Sequence, residues 1–312
     1  MKHDLAIVYS ENYTISLGGI ENYHPFDTTK FRKAHDELVA NGVIQPQSFI
    51  VPEPVTEEEL LFVHTRAYLD SLADPRVAAR IAEVTEISYL PPSLIKEGLY
   101  TPLRWATGGT IRAARLALTH GAACNLGGGF HHAARDAGGG FCYYADIAIA
   151  VHVLWQDHPK LRVLIVDLDA HMGNGTAVIF DDDPRITIFD MYNADIFPLD
   201  EAAARLIDHP VRLHTGMNTE TYLTMLQREL PRVLDDTAPG LLIYNAGTDV
   251  WEHDPLGGLA VTAEGILERD LFVFQEARRR GIPFLMLTAG GYSGESGHLI
   301  ASTLKSLILI TH

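Results

Sequence analysis

Short apolar runs alternate along the chain with segments whose apolar residues recur every three or four positions, and the alternation continues almost from end to end. Residues 5–9, 122–126, 161–166, 185–189, 241–244 and 283–287 read as strands. Residues 28–40, 110–119, 146–155, 219–234 and 262–280 read as helices, with a closing helix from about Gly297. Asn41-Gly42, Gly121 and Gly281 stop three of these helices, and Thr56-Glu57-Glu58-Glu59 before Leu60 has the form of a capping box. In the second helix Ile111, Ala114, Arg115 and Leu118 are expected on one face. Val163-Leu164-Ile165-Val166 has no polar alternation, which places it as a central strand buried on both faces. Strands separated by helices predict an α/β fold, with a mostly parallel sheet between two helical layers. No spacer, repeat or low-complexity tract divides residues 1–312, so one domain is expected.

Four strands empty into polar, glycine-rich segments: Gly127-Gly128-Gly129-Phe130-His131-His132, Asp167-Leu168-Asp169-Ala170-His171, Asn245-Ala246-Gly247-Thr248-Asp249 and Ala289-Gly290-Gly291-Tyr292. Parallel strands put all four on one sheet edge, where ligands of such folds bind. A lone Asp in a loop is more often a turn residue, and a lone His more often a satisfied core or surface group. Converging on one edge, Asp169, His171 and Asp249 instead make a set of metal ligands. Three protein ligands leave an open position, the arrangement of a catalytic metal. The donor types fit zinc, and Fe(II) or Co(II) would also accept them.

Two carboxylates neutralise a divalent ion and leave its water less acidic than three histidines would, so a separate base is useful. His131 and His132 are placed to supply one, with His131 expected on Asp167 and His132 on Asn174. A carboxylate partner favours the charged imidazole and an amide partner does not, which makes His132 the neutral base. Tyr292 can donate its phenol to an oxyanion, although capping a sheet is the commoner fate of a tyrosine. Together these groups describe amide hydrolysis by activated water, without a covalent intermediate.

Composition narrows the partners. With 24 basic against 40 acidic residues, the net charge of -16 opposes nucleic acid binding and favours a cationic partner. Arg278-Arg279-Arg280 reads as a helix end rather than a basic site. Cys124 and Cys142 are too few for a disulfide framework and are expected as small core residues. No apolar run is long enough to span a membrane, and Met1-Lys2-His3-Asp4 lacks the apolar stretch of a signal peptide, so a cytoplasmic protein is expected.

The segments GGGFHH, GGGFCYYAD, VDLDAHMGNGT, YNAGTDVWEHDPLGGL and TAGGY resemble those of zinc-dependent histone deacetylases, most closely the class IV branch. Tyr23-His24-Pro25-Phe26-Asp27, Ala106-Thr107-Gly108-Gly109-Thr110 and Tyr192-Asn193 extend the resemblance from near residue 5 to near residue 305. It implies a three-layer α/β/α fold of the arginase/deacetylase kind, with zinc on Asp169, His171 and Asp249. His131 and His132 would stand beside the water and Tyr292 on the carbonyl. It also implies an acyl-lysine tunnel walled by Gly140 and Phe141 with Phe197 opposite, and a potassium ion near the backbone of Asp167, Asp169 and His171. Asn174 stands where class I and II members carry Asp, as it does in class IV, and Phe130 where class I carries Trp. Class IV membership implies long fatty acyl groups on lysine as the preferred substrate. The segment around Asp190 does not align, so no residue there is carried over.

Three alternatives remain at this level. A di-manganese enzyme of the same fold would want a carboxylate two residues after His171, where Gly173 stands. An acylpolyamine amidohydrolase suits the acidic surface. A non-enzymatic acyl-lysine reader would have lost a ligand or Tyr292, and neither is lost.

Overall fold

The computed structural model describes residues 5–23 and 25–311; the N-terminal four residues read for a leader, His24 of the 23–27 motif, and His312 lie outside the described residues. Seven strands form one sheet: β1 (Ala6–Val8), β2 (Ala122–Asn125), β3 (Val163–Asp167), β4 (Ile186–Asn193), β5 (His209–Leu213), β6 (Leu241–Asn245) and β7 (Phe284–Leu287). Their spatial order is β1-β2-β7-β6-β3-β4-β5, and every pair is parallel. The last strand therefore lies inside the sheet, and it alone joins β1-β2 to the other four.

Helices α1 (Thr29–Ala40), α2 (Thr101–His120), α3 (Asp146–Asp157), α4 (Thr219–Thr237), α5 (Ala263–Arg279) and α6 (Ser296–Thr311) flank the sheet. α2 packs on β1, β2 and β7 and carries α3, while α5 packs on β7 and lies between α4 and α6, with α1 against α6. All five residues of β3 are buried, as a central parallel strand requires. The capping box forms as read: Thr56 Oγ1 accepts the Glu59 N–H, and Glu59 Oε2 accepts the Thr56 N–H.

Two boundaries, one helix face and one strand differ from the sequence reading. α2 begins at Thr101 rather than residue 110, running on directly from a π-helical turn over Lys96–Tyr100, with Pro102 in its first turn. Arg115 of that helix is exposed; the inward face is Ile111, Ala113, Ala114, Leu116 and Ala117, closed by Gly121 in the left-handed region. β4 continues to Asn193, its polar Asp190 and Asn193 being buried at the functional edge rather than marking a loop. β5 was not foreseen: His-Pro-Val-Arg-Leu is an edge strand, where a proline without N–H is tolerated. Among the described residues no helix is long and apolar enough to cross a membrane. Both free cysteines are buried.

Candidate metal centre and active site

Register sets the level of the site. Asn125 pairs with Leu287, Leu287 with Asn245, Asn245 with Asp167, and Asp167 with Asp190, so four strands present polar side chains along one line at the carboxyl edge. The chain leaves β3 through Asp169 and His171 and leaves β6 through Asp249. One ligand atom from each of these three buried side chains lies within 4.8 Å of the others. His171 Nδ1 is 2.9 Å from Asp249 Oδ2 and 3.2 Å from Asp169 Oδ1. Two carboxylates and an imidazole already in contact fit a divalent cation in size and donor chemistry.

Backbone groups fix the carboxylates. Asp169 Oδ2 accepts the Gly290 N–H at 2.8 Å, and Asp249 Oδ1 accepts the Ala170 N–H at 2.8 Å. A Cβ at residue 290 would stand 2.3 Å from Asp169 Oδ2 and 2.5 Å from Asp249 Oδ2, so only glycine lets β7's loop close on both. Without an ion, burial and the Asp169 charge push Asp249 up to about 7. Burial opposes charge on Asp169 too, but His131 and His171 hold its carboxyl well below the usual range. His171, although buried, is pushed up to about 10 by Asp169 and Asp249. Such mutual dependence among three groups is what a bound cation would replace.

The tandem histidines have the partners expected. His131 Nδ1 lies 2.8 Å from Asp167 Oδ2, and His132 Nδ1 lies 2.8 Å from Asn174 Oδ1. Their Nε2 atoms are 3.1 Å apart. Burial works against a charged His131, yet Asp167 and Asp169 push it up to about 9. Burial, then the charges of His131 and His171, hold His132 well below its ordinary value. One ring is thus cationic and its neighbour neutral.

Tyr292 stacks edge-on to His171, ring centroids 5.7 Å apart, and its own N–H donates to Asp254 Oδ2 at 2.7 Å. Burial and the charges of Asp169 and Asp249 raise its phenol well above the ordinary value, so it keeps its proton. Phe141 meets Tyr292 edge-on at 6.0 Å, and Phe197, half exposed, meets His132 at 5.1 Å. A Cβ at Gly140 would come within 2.4 Å of His132 Cδ2, so that wall must be glycine. His131, His132, Gly140, Phe141, Asp169 and Tyr292 line one slot together with Phe26, Phe130 and Cys142, and His171, Asp249, Asp167, Asn174 and Phe197 adjoin it through the contacts above.

Several neighbours were not foreseen. Asn245 Nδ2 donates to Asp167 Oδ1 at 3.0 Å. Asp146, fully buried, accepts the N–H groups of Gly129 and Phe130 and the Thr110 hydroxyl, and so shapes the loop bearing the histidines. Lys30 of α1 is buried and donates Nζ to the carbonyls of Ala289 and Gly291, at 2.7 and 3.1 Å, on either side of Gly290. Asp190 accepts the Gly173 N–H through Oδ2, while its buried Oδ1 has no partner. Lys30 carries no sequence signal beyond its place on an apolar helix face. Asn245 sat in one of the four marked segments.

A parallel α/β sheet with an Asp-His-Asp cluster able to hold a metal ion and two adjacent imidazoles at its carboxyl edge has the form of a hydrolase site. The chain belongs to the histone deacetylase family: the model of the histone deacetylase domain matches residues 24–307. Histone deacetylase 2 of Arabidopsis thaliana is 42% identical over 303 residues, covering 97% of this chain and 78% of that protein. An uncharacterized protein of Picosynechococcus is 36% identical over 92% of each chain, and histone deacetylase B of Dictyostelium discoideum is 29% identical over 87% of this chain and 66% of its own. The crystal structure of the HDA15 HD domain superposes with a TM-score of 0.79 at 22% identity, covering 99% of this chain and 89% of that one, and so shares the fold.

Proposed function

We propose that this chain, as a single catalytic domain, removes acyl groups from the Nε of lysine in peptides or proteins by metal-assisted hydrolysis. Asp169, His171 and Asp249 would hold the ion, zinc by donor type and Fe(II) by the same rule. When bound, it would polarise the amide carbonyl and acidify water beside it.

The rest falls to this chain's own groups. His132 donates Nδ1–H to Asn174, which leaves Nε2 as its acceptor atom; that lone pair faces Nε2 of His131 at 3.1 Å and would turn from it to take a proton from water. His131, held cationic through Asp167, balances the negative charge that grows at the attacked carbon. Tyr292, still protonated, donates to the oxyanion, while Gly140, Phe141 and Phe197 wall the path of the lysine stem. The observation that carries this reading is the split pair: adjacent imidazoles, one on a carboxylate and one on an amide, beside the Asp-His-Asp cluster.

We assign the chain to the class IV branch, on Asn174, with long fatty acyl groups as substrate. A cavity of about 400 Å³ shares Phe26 and Phe141 with the slot; its lining mixes Ile15, Leu17, Ile87 and Leu99 with Glu21, Asp27 and Arg32, and it offers room that acetyl would leave unused. A potassium ion near the backbone of Asp167, Asp169 and His171, as the resemblance implies, completes the reading.

The test is turnover of acetyl-lysine peptide, myristoyl-lysine peptide and an acylpolyamine by chelator-stripped and zinc-reloaded protein. Stripping is expected to lower the rate about a hundredfold or more, with zinc restoring it and the fatty acyl peptide preferred. Full activity without metal would overturn the mechanism, and a large preference for the polyamine would overturn the substrate.

A further inference from the structure

The three proposed ligands come from two loops that follow adjacent strands, β3 and β6, and their spacing depends on how those loops are tied together. Arg269, in the middle of α5, is completely buried and reaches the underside of both. Its Nη1 lies 3.0 Å from the carbonyl of Leu168, immediately before Asp169, and 2.8 Å from the carbonyl of Gly247, two residues before Asp249. One Nη carries two hydrogens in a fixed plane, so a single nitrogen can serve both carbonyls at a set angle.

The guanidinium is itself held from three elements. Nε donates to Asp270 Oδ1 at 2.8 Å. That carboxylate also accepts the hydroxyl of Tyr244 on β6 at 2.5 Å and, through Oδ2, the hydroxyl of Thr303 on α6 at 2.7 Å. A buried cation beside a buried carboxylate that accepts three donors is a rigid fixture, with Nη2 alone of the guanidinium nitrogens lacking a hydrogen-bond partner. Its sequence mark is a charged pair at core positions: Arg269 and Asp270 fall at helical spacing between Ile266 and Val273, both buried.

We propose that Arg269 is a positioning residue for the metal centre: it clamps the loops after β3 and β6 at the separation that lets Asp169, His171 and Asp249 share one ion. This rests on those three side chains being the ligands. It acts through backbone carbonyls and touches neither substrate nor ion. A lysine could satisfy one carbonyl well but not hold both in a plane. Methionine would fill the volume and leave both carbonyls and Asp270 short of a partner.

The experiment titrates metal-stripped full-length protein with Co(II), followed by its visible absorption, and with zinc against a competing chelator. Arg269→Met is expected to weaken zinc binding by about 10- to 100-fold and shift the Co(II) bands, with Arg269→Lys intermediate. Phe274→Leu, in the same helix and packed on Phe284, supplies a control that lowers Tm without touching the loops; it should keep the wild-type affinity and spectrum. Wild-type affinity in a folded Arg269→Met protein overturns the proposal, as does an equal loss of affinity in Phe274→Leu. If Arg269→Met does not fold, Arg269→Lys decides: weakened binding with Tm at or above that of Phe274→Leu supports the clamp, and unchanged binding overturns it. A wild-type chain that takes up no divalent ion overturns the ligand assignment as well, whereas ion uptake indifferent to Arg269 overturns the clamp alone.

Discussion

Asn174 holds His132 through an amide oxygen, and that choice of partner sets the charge of the base. Asn174→Asp should raise the pKa of His132, so that the base form is lost at a higher pH. The acidic limb of the kcat/KM profile is expected to move up by about one pH unit; an unmoved limb would remove His132 as the base. Lys30 bears on the same chemistry from the other side, since the carbonyls it holds fix the turn that delivers Tyr292. Lys30→Met should lower kcat about tenfold with little change in KM, because a tyrosine acting on the oxyanion matters in the transition state, and Lys30→Arg should recover most of it. His64 lies apart from the slot and reports on stability alone. It is buried, accepts the Ala145 N–H at Nε2, and burial pulls its pKa down from 6.5 to about 4. The unfolded chain therefore takes up the proton first, and stability falls as pH drops from 6.5 towards 4. Denaturant unfolding should register a loss of about 2 kcal/mol from this group between pH 7 and pH 4.5, and His64→Gln should flatten that part of the curve.

At the level of elements, what could be read from the sequence was whatever burial dictates. β3, β6 and β7 are apolar runs covered on both faces, and amphipathic periodicity marked α1, α4 and α5 to within a few residues. The four polar segments were visible because glycine and charge cluster where parallel strands end. β5 was not, since an edge strand with a proline and alternating exposure lacks a strong pattern. Nor was the inner half of the site: Asp146 and Lys30 act on backbone groups far along the chain, and sequence spacing carries no record of such contacts. Asp146 tests how far a helix start can shape a catalytic loop. At the first residue of α3 it holds Gly129 and Phe130, so Asp146→Ala should strand two buried N–H groups and cost roughly 2–4 kcal/mol. Thermal melting and the KM for substrate should both worsen; a variant as stable as wild type would show those donors to be satisfied by other means.

Across the whole molecule, a net charge of -16 surrounds a site whose proposed substrate is lysine within a polypeptide. Association with a lysine-rich acyl peptide should be steered by that field, so KM is expected to rise severalfold between about 50 and 500 mM salt, with kcat unaffected. A KM indifferent to salt would confine recognition to the slot. The strand order has a consequence for synthesis. The imidazole pair follows β2, the proposed metal ligands follow β3 and β6, and the seam between these halves is filled by β7, the last strand in chain order among the described residues. The sheet cannot close until β7 has emerged from the ribosome, and Gly290 and Tyr292 arrive directly behind the strand that closes it. Hydrolytic competence then waits on that strand: release between residues 250 and 283 should yield a chain with His131, His132, Asp169, His171 and Asp249 but without Tyr292, and with no joined sheet to aim them.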